Sequence, residues 1–586
     1  MSRVPMLSFN MKCISGVLLA CTILILSACG GGGGGSNNVI STATSTAILL
    51  SSSSPSLSSN SSVSSNFSSS PSSSQGFSSS SVQATVNISG TLTYDYVPHN
   101  ENHVGLNYAA TTQRPIRGAV VELLDEVGQV RVSTKSNPDG FFSADIQKNT
   151  SVKVRVKAQL LNTSLPTWNF KVTDNTSNNA LYVLDGALAS SGSDDSVRNL
   201  NANSGWSGTS YSAPRAAAPF AILDDIYVGV IRVMSAGNTQ NLNPLELRWS
   251  TKNSAADGDY TRGEIGTSFY DGAAIYILGD ANNDTDEYDP HVLLHEWGHY
   301  LENTLSRSDS LGGDHSDSEF LDIRVAMSEG FANAFSGMMN EDASYADASG
   351  TAQLSGFTFN IARKNRPNKG YFNEGSIGSI FYNFYSSNIN KIANDFTPIF
   401  KTLNNASYYS NEALTSIYLF HAQLKNLFPE YAAVMEDLMQ EQIIFGSDEY
   451  GNDESNNGGL AIELPVYKKM DSNNSSMNVC SSNQYGEPNK LGNSQFIKLN
   501  VLQSGLYIIR VTKSGGDNVI SKPEFVLYKR GVQVNYTANT VTDKASTNMS
   551  LTAGNYVIEI DDFNNSDNEN SDSKATTCFD VRVVAI

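Results

Sequence analysis

The segment from 289 to 299, DPHVLLHEWGH, constrains this chain more than any other. Asp289 is a residue type that caps helix N-termini, and Pro290 is of a type favoured at the first helical position. A helix is therefore predicted to begin immediately before the histidines. Residues four positions apart on a helix lie on the same face. His295 and His299 should thus present two imidazole rings side by side.

Two imidazoles at this spacing favour a metal site. Both rings can point a nitrogen at one zinc ion about 2 Å away, while Glu296 lies beside the open coordination position. Zinc lowers the pKa of a bound water molecule, and a neighbouring carboxylate can take the remaining proton as that water attacks a carbonyl. The residues predict a zinc-dependent hydrolase with Glu296 as general base. The alternative is a chance HExxH pattern on an ordinary amphipathic helix.

A third ligand must come from elsewhere in the chain. Metzincins continue the motif with a glycine three residues and a histidine six residues after the second histidine. Glu302 and Leu305 occupy these positions here. The remaining common arrangement takes a glutamate from a following helix, as in gluzincins. Glu329, in the segment AMSEGFAN, is the expected third ligand.

The segments HEWGHYLENTL and MSEGFANAF are similar to the paired helices of thermolysin-like and fungalysin-like gluzincins. The resemblance implies a peptidase with an α+β, zincin-like catalytic domain and a helical C-terminal lobe. In those families an aspartate four residues after the ligand glutamate orients a ligand histidine. Asn333 holds that place here and can accept from an imidazole N–H, but it carries no charge. A plain polar helix position is the alternative.

The group that would stabilise the oxyanion is not evident from the sequence. Thermolysin-like enzymes provide a histidine from a later segment, but the matching residues from 370 to 376, GYFNEGS, include none. Tyr371 and His315 are the candidates, because a phenol or an imidazolium can stabilise developing negative charge. His315 has a second interpretation, as a cap for the acidic loop from 314 to 322.

Two segments upstream of the motif have functional interpretations. GTSFYDGAAIYILGD resembles the strand at the edge of the gluzincin cleft, so residues 272–277 either contact an extended substrate or form a buried structural strand. The loop from 280 to 286, DANNDTD, spaces oxygens every two residues as calcium (Ca²⁺) loops do. His291 stands where such a loop needs an acidic residue. Calcium binding and a solvated turn both remain open.

The other histidines show no metal-ligand spacing. His291 lies one turn before His295 and is expected at the helix N-terminus, near the rim of the site. His99, His103 and His421 are expected to be ordinary polar residues. The sequence therefore predicts no zinc ligand among these four histidines.

The first 28 residues resemble a lipoprotein signal peptide. Basic residues precede an apolar run from 14 to 26 that is too short to span a bilayer comfortably, and the run ends in LSAC, which resembles the bacterial lipobox. The resemblance implies that Cys29 is lipidated, and Gly30 after it favours the outer membrane. An ordinary signal peptide with an incidental cysteine is the alternative.

Residues 29–82 are expected to form a flexible linker. Of the positions from 51 to 80, 20 are serine, and no apolar periodicity is present. Such a segment cannot bury a core, so it most simply holds the folded part away from the membrane.

The rest of the chain is predicted to form three modules. Residues 83–190 contain short strands and turns, and RGAVVELLDEVGQV with STKSNPDGFFSADI resembles carboxypeptidase regulatory-like, transthyretin-like β-sandwiches. Residues 205–465 are strand-rich and then helical, which indicates an α+β domain. Residues 471–586 return to short strands, and AGNYVIEIDD resembles pre-peptidase C-terminal modules, which implies a second β-sandwich. Helices are predicted over residues 291–303, 325–340, 376–385, 392–403, 413–427 and 430–445.

Cysteine usage points to one disulfide. Three of the five cysteines lie in the signal region, which leaves Cys480 and Cys578 in the C-terminal module. In an exported chain these two are expected to pair, with two free thiols as the alternative.

The net charge of the chain excludes one class of partner and leaves three hypotheses for its function. The net charge of -20, from 38 basic and 58 acidic residues, would repel a phosphate backbone, so nucleic acid is not an expected partner. The leading hypothesis is a zinc metallopeptidase tethered to the bacterial cell envelope, in the periplasm or at the surface, acting on a polypeptide or glycopeptide. The alternatives are a non-catalytic adhesion or carbohydrate-binding lipoprotein with a vestigial zincin domain, and a zinc hydrolase of another bond, such as a glycopeptide linkage.

Overall fold

A computed structural model describes residues 84–387, 394–473, 476–517, 520–537, 543–566 and 574–586. The predicted signal peptide, Cys29 and the linker lie outside these residues. Within them the chain is multidomain and combines several β-sheets with nine α-helices. No helix in the described part is long and apolar enough to cross a membrane.

The N-terminal strands alternate buried and exposed residues. Phe142, Ala144 and Ile146 of one strand face the core while the residues between them are exposed, as the period of a strand requires. The turn before this strand is closed by a hydrogen bond from the Gly140 N–H to the Asn137 carbonyl, and Gly140 has φ +75°. The strands of this region are β1 (Thr85–Tyr96), β2 (Thr112–Pro115), β3 (Ala119–Asp125), β4 (Val130–Lys135), β5 (Phe141–Gln147), β6 (Ser151–Asn162), β7 (Trp168–Asp174), β8 (Ala180–Leu181), β9 (Val183–Asp185), β10 (Ala189–Ser190), β11 (Ser196–Val197) and β12 (Leu200–Ala202).

One sheet runs from this region into the next. β7 pairs in parallel with β13 (Leu245–Trp249), and β13 pairs in parallel with β15 (Ala274–Ile277). β14 (Phe269–Tyr270) pairs with β15, so the described strands follow the order β14-β15-β13-β7-β6-β3-β4. The segments on either side of the predicted boundary between 190 and 205 thus share a sheet. Parallel pairing between distant segments leaves no local sequence signal.

The first helix, α1 (Ala218–Ser235), is absent from the helices that the sequence predicts. Its second half, YVGVIRV, is rich in β-branched residues, which favour strands when read locally. In the fold, Ile222, Ile226 and Val230 are buried, and α1 packs against β6, β7 and the next helix. Tertiary burial therefore outweighs local propensity.

The two helices expected to carry the metal ligands are present. They are α2 (Pro290–Leu305) and α3 (Ile323–Asn340). Pro290 is the first helical residue, as predicted. Asp289 occupies the N-cap position, but its carboxylate makes no cap hydrogen bond. Its Oδ2 accepts from the Ala348 N–H at 3.2 Å, and its Oδ1 lies 2.6 Å from His99 Nε2.

Further helices and a small sheet surround α2 and α3. A four-stranded sheet, β16-β17-β18-β19, connects the segment before α2 with the segment after α3. α3 packs closely on α4, because Gly330 leaves room where an added Cβ would lie 2.5 Å from Ile377 Cβ. These elements are β16 (Gly279–Asp280), β17 (Asp284–Thr285), β18 (Ser344–Ser349), β19 (Ser355–Asn360), α4 (Glu374–Tyr385), α5 (Thr397–Leu403), α6 (Ala406–Tyr409), α7 (Ile417–Leu427) and α8 (Ala432–Glu441).

The C-terminal strands form two sheets around a separate apolar core. The five-stranded sheet has the order β20-β22-β27-β24-β25, and the four-stranded sheet has the order β21-β28-β23-β26. Cys480 and Cys578 lie directly opposite each other on β21 and β28 and are joined by a disulfide. The elements are β20 (Tyr467–Asp471), β21 (Ser476–Ser482), β22 (Gln495–Val501), β23 (Gly505–Gly516), β24 (Pro523–Lys529), β25 (Val532–Thr537), β26 (Lys544–Leu551), β27 (Gly554–Asp562), α9 (Phe563–Ser566) and β28 (Thr576–Ala585).

Candidate metal centre

Three predicted ligands meet between α2 and α3. His295 Nε2 and His299 Nε2 are 3.1 Å apart, and each lies 3.2 Å from Glu329 Oε2. The helices approach closely at Gly298, where an added Cβ would lie 3.3 Å from Ala332 Cα. The glycine within HEWGH therefore permits the contact that brings the glutamate to the histidines.

The second nitrogen of each histidine is held by a neighbour on α3. His295 Nδ1 lies 3.0 Å from Asn333 Oδ1. Because an amide oxygen only accepts, Nδ1 carries the proton and Nε2 presents its lone pair. His299 Nδ1 lies 3.2 Å from Ser328 Oγ, whose hydroxyl donates to Glu302 Oε2 at 2.7 Å. Because the Ser328 hydroxyl hydrogen is donated to Glu302, the Ser328 oxygen accepts from His299 Nδ1. His299 Nδ1 therefore carries the proton, and His299 Nε2 presents its lone pair, as in His295.

Ser328 and Glu302 were not predicted as site residues. Glu302 lies three positions after His299 on the same helical face, and Ser328 immediately precedes Glu329. The i, i+3 spacing was the signal that could have identified Glu302. From the sequence alone, Glu302 had been used only as evidence against a metzincin, because metzincins have a glycine at this position.

Glu296 lies beside the three predicted ligands, and one of its carboxylate oxygens has no hydrogen-bond partner among the described residues. Its Oε2 accepts from the Tyr270 N–H at 2.8 Å. Its Oε1 is buried and has no hydrogen-bond partner among the described residues. Burial raises the pKa of the Glu296 carboxyl; His295 and His299 lower it, Glu329 raises it, and the net direction is upward. The Glu296 carboxyl therefore holds a proton more readily than an exposed glutamate does.

The donor set fits zinc. Two imidazole nitrogens and one carboxylate oxygen are ligands that catalytic zinc takes while it keeps a further position open. The three donor atoms converge within 4.8 Å of one another, and the unengaged Glu296 oxygen lies in the residue next to His295. Burial by itself would raise the pKa of Glu329, but His315 and His299 lower it well below its usual value. The glutamate therefore presents a charged carboxylate to this centre.

His315 belongs to the same cluster. Its Nε2 lies 3.3 Å from Glu329 Oε2, and its Nδ1 lies 2.6 Å from Glu374 Oε2. All three side chains are buried. Glu374 is the first residue of α4, and its role as a partner of His315 was not predicted. A carboxylate at Nδ1 orients the ring so that Nε2 faces the centre.

Tyr371 lies in different surroundings. Its ring packs against Phe372 and Tyr418, and its buried hydroxyl has no hydrogen-bond partner in the described part of the chain. Burial raises the pKa of this phenol, with further contributions from Glu463 and Glu454. The structure thus brings His315, and not Tyr371, to the predicted ligands.

A cleft of about 250 Å³ opens onto the centre. His299 and Glu329 line it, together with Tyr270, Asp271 and Gly272 of the segment around β14. β14 is the last strand of its sheet among the described residues. β15, which contains most of the predicted contact segment 272–277, is buried and pairs on both sides, with β13 and β14. Of that segment, Gly272 lines the cleft, and the available strand edge belongs to β14.

The remaining histidines lie outside the centre. His291 is buried in the first turn of α2, where its Nε2 lies 3.2 Å from the Asp342 carbonyl oxygen, and not at a rim. His99 faces Asp289, and His421 Nε2 lies 3.5 Å from Glu436. None of them belongs to the group of side chains that could hold a metal with His295.

No family model matches this chain, and no curated protein matches it. Among solved structures, the chain is similar to the pre-peptidase C-terminal domain of collagenase from Bacillus anthracis, with 15% identity over 20% of this chain and 93% of that chain and a TM-score of 0.15. It is also similar to the Aeromonas hydrophila periplasmic lysozyme inhibitor PliG, with 10% identity over 20% of this chain and 96% of that chain and a TM-score of 0.13. Pika GITRL shares 21% identity over 19% of this chain and 98% of its own, with a TM-score of 0.10. At these TM-scores the likenesses carry no argument about function.

Proposed function

We propose that this protein is a zinc-dependent peptidase of the gluzincin type, with His295, His299 and Glu329 as ligands and Glu296 as general base. The observation that carries the proposal is the convergence of the three donor atoms beside a buried glutamate whose Oε1 is unengaged. A purely structural helix pair has no need for two facing imidazole nitrogens with fixed tautomers.

Glu296 and His315 have separate roles in the proposed hydrolysis. A bound zinc ion supplies the Lewis acidity that makes a water molecule nucleophilic near neutral pH and polarises the substrate carbonyl. Glu296 Oε1 accepts a proton from the attacking water and delivers it to the leaving amine. His315 Nε2, oriented by Glu374, donates a hydrogen bond to the developing oxyanion.

The cleft suits an extended polypeptide. The edge of β14 lies next to the centre, where the Tyr270 N–H is already donated to Glu296 Oε2. A peptide added along this edge would gain backbone hydrogen bonds regardless of its side chains. A glycopeptide with an extended backbone could bind in the same way.

The proposed setting is the bacterial cell envelope. In this proposal the chain is exported, lipidated at Cys29 and held to the outer membrane through the linker. The support is the lipobox-like LSAC and the serine-rich segment in the sequence, together with the Cys480–Cys578 disulfide, which is typical of an oxidising compartment.

The test combines metal content with proteolysis. The purified full-length protein and the variants Glu296→Gln and Glu329→Gln are assayed for bound zinc and for digestion of unfolded casein. We expect about one zinc in the wild type and in Glu296→Gln, with a rate loss of roughly 10²- to 10⁴-fold or more in that variant. Glu329→Gln should lose both zinc and activity.

Two results would count against the proposal. Stoichiometric zinc without cleavage of casein or varied peptides by the wild type would exclude a peptidase and leave a binding protein or a hydrolase of another bond. If the wild type binds no zinc, the proposed metal centre is refuted.

A further inference from the structure

The segment between α2 and α3 carries His315 but has no regular structure of its own. Residues 307–322, all of which the structure describes, form neither a helix nor a strand. Loops of this length without secondary structure are uncommon in compact domains and are usually functional. Since the backbone of such a loop lacks a ladder of internal hydrogen bonds, contacts with other elements must set the position of His315. Residues 307–322 are called the His315 loop below.

The part of the His315 loop that follows the histidine is held by the start of α4. Asn373, at the N-cap of α4, is fully buried, and its Nδ2 donates to the Asp317 carbonyl at 2.7 Å and to the Glu319 carbonyl at 3.2 Å. Glu374, the next residue, contacts His315 Nδ1. The same helix start therefore holds both the loop and the ring.

The part of the His315 loop that precedes the histidine is held by the C-terminal region. Residues 483–494 connect β21 to β22 and are called the β21–β22 loop below. Asn489 Nδ2 donates to the Gly312 carbonyl at 2.6 Å and to the Asp314 carbonyl at 3.1 Å. Lys490 Nζ donates to the same Asp314 carbonyl at 2.5 Å. The backbone immediately before the histidine is thus fixed by two side chains of the β21–β22 loop.

Burial makes these two side chains demanding of their partners. Asn489 is 1% exposed and Lys490 is 5% exposed. A buried ammonium group is costly unless its donors are matched by acceptors. The three acceptors near Lys490 Nζ are the Asp314 carbonyl, Asn489 Oδ1 at 2.9 Å and Glu319 Oε1 at 3.3 Å. A displaced His315 loop would leave this charge short of acceptors, so the contact favours one position of the loop.

The β21–β22 loop is itself fixed to the C-terminal strands. Asn493 is buried, and its Oδ1 accepts from the Lys490 N–H at 2.9 Å. Its Nδ2 donates to the Gly486 and Asn565 carbonyls, each at 3.0 Å. The support for the His315 loop therefore extends from the C-terminal sheets to the backbone beside His315.

We propose that the β21–β22 loop positions His315 for the hydrolysis proposed above, with Asn489 and Lys490 as positioning residues. This inference rests on the proposed function, in which His315 donates to the oxyanion. Such a donor acts only when it lies within hydrogen-bond distance of the place where the charge develops, and a shift of about 1 Å can cost on the order of 10²-fold in rate. The C-terminal sheets then complete the catalytic site and are not only a spacer or binding module.

The test compares two replacements of buried asparagines in the full-length protein. Asn489→Asp keeps the shape of the side chain and the acceptor for Lys490, but it removes the amide donor to the His315 loop. Asn565→Asp is the matched control, because Asn565 Nδ2 donates to the Ser481 carbonyl at 3.1 Å, within the C-terminal region. Steady-state cleavage of fluorescent casein gives kcat and KM, with zinc content and Tm recorded in parallel.

The two variants should differ in turnover. In Asn489→Asp we expect kcat to fall roughly 10- to 100-fold, with KM and zinc content unchanged. Asn565→Asp should lower Tm and leave kcat unchanged. Lys490→Met, which removes the ammonium group, should also lower kcat and provides the test if Asn489→Asp does not fold.

A positioning role differs from a purely structural one when His315 is absent. In the His315→Gln background, Asn489→Asp should lower kcat by less than about threefold further, because residues that act through one another are not additive. Nuclear magnetic resonance of ¹⁵N-labelled histidines gives a readout without turnover. The His315 signal, assigned by its absence in His315→Gln, should shift in Asn489→Asp and not in Asn565→Asp.

The results separate this inference from the peptidase proposal. A wild type that does not cleave casein refutes the peptidase proposal and this inference with it. An active wild type whose Asn489→Asp and Lys490→Met variants keep the wild-type kcat would overturn the positioning role alone. So would a loss of kcat in Asn489→Asp that adds fully to that of His315→Gln, or a His315 signal that does not shift.

Discussion

Arg324 of α3 is joined to Glu559 of β27 by two hydrogen bonds, from Nη2 to Oε1 at 2.6 Å and from Nη1 to Oε2 at 2.9 Å. Arg324 is 1% exposed and also donates to Asp322. It lies on the helix that carries Glu329. A buried bidentate ion pair therefore joins α3 to the C-terminal sheets.

Removal of Glu559 should destabilise the protein strongly. Glu559→Ala leaves part of a buried guanidinium without its partner, and we expect a loss of about 3–5 kcal/mol in the free energy of unfolding. The measurement is urea unfolding followed by fluorescence. Glu412→Ala breaks the exposed contact with Arg530, which joins the same two regions, and should cost less than about 1 kcal/mol. Equal losses in the two variants would contradict a special role for the buried pair.

His315 should matter for turnover, and Tyr371 should not. His315→Gln removes a donor that faces Glu329, and we expect kcat to fall roughly 10²- to 10³-fold with zinc content unchanged. Tyr371→Phe should retain activity, because the Tyr371 ring packs against Phe372 and Tyr418 and its hydroxyl has no hydrogen-bond partner among the described residues. The assay is steady-state hydrolysis together with metal analysis. Loss of zinc in His315→Gln would instead make His315 a ligand.

Asn333 should set the zinc affinity through His295. Asn333→Ala removes the acceptor at His295 Nδ1 and is expected to weaken zinc binding about 10- to 100-fold. Asn333→Asp restores an acceptor and adds charge, so it should bind zinc at least as tightly as the wild type. Competition with a chromogenic chelator measures both affinities. An unchanged affinity in Asn333→Ala would show that Asn333 is a plain helix residue.

Glu463 should make stability fall as pH rises from about 4.5 to 8. Burial raises the pKa of this carboxyl to about 8, against a lowering by Lys468 and by a hydrogen bond from Gln495. The folded state therefore keeps a proton that the unfolded state releases above its own pKa. The stabilisation that comes from this bound proton is fully present below about pH 4.5 and is lost as pH passes 8. Between these values the free energy of unfolding should fall by at most roughly 1.4 kcal/mol per pH unit.

The Glu463→Gln variant isolates that contribution. Glutamine resembles the neutral carboxyl, so the unfolding free energy of the variant should depend less on pH between about 5 and 8 than that of the wild type. Chemical unfolding at four pH values in this window measures the difference. Asp437→Asn, at an exposed position of α8, should leave the wild-type slope unchanged. A slope in Glu463→Gln equal to that of the wild type would refute the assignment.

The local part of the candidate site follows from the sequence. His295, Glu296 and His299 lie on one helix, and their spacing alone places them together. Pro290 marks the start of that helix, and the alternation of apolar residues predicts strands such as β3 and β23. The pairing of Cys480 with Cys578 was expected from their number. The helix and strand signals depend on backbone geometry within a few residues. The disulfide could be expected because only two cysteines lie outside the signal region.

Contacts between distant segments were decided only by the tertiary structure. His315, in the loop between α2 and α3, meets Glu374 at the start of α4, and Asp347 joins Asp284 and Asp286 because β18 pairs with β17. The parallel pairing of β7 with β13 and the helical state of α1 likewise depend on burial between remote elements. The sequence by itself determined the side chains that lie one helical turn apart. Which remote carboxylates and histidines join them was set by the packing of helices and the register of strands, since these depend on the whole buried core.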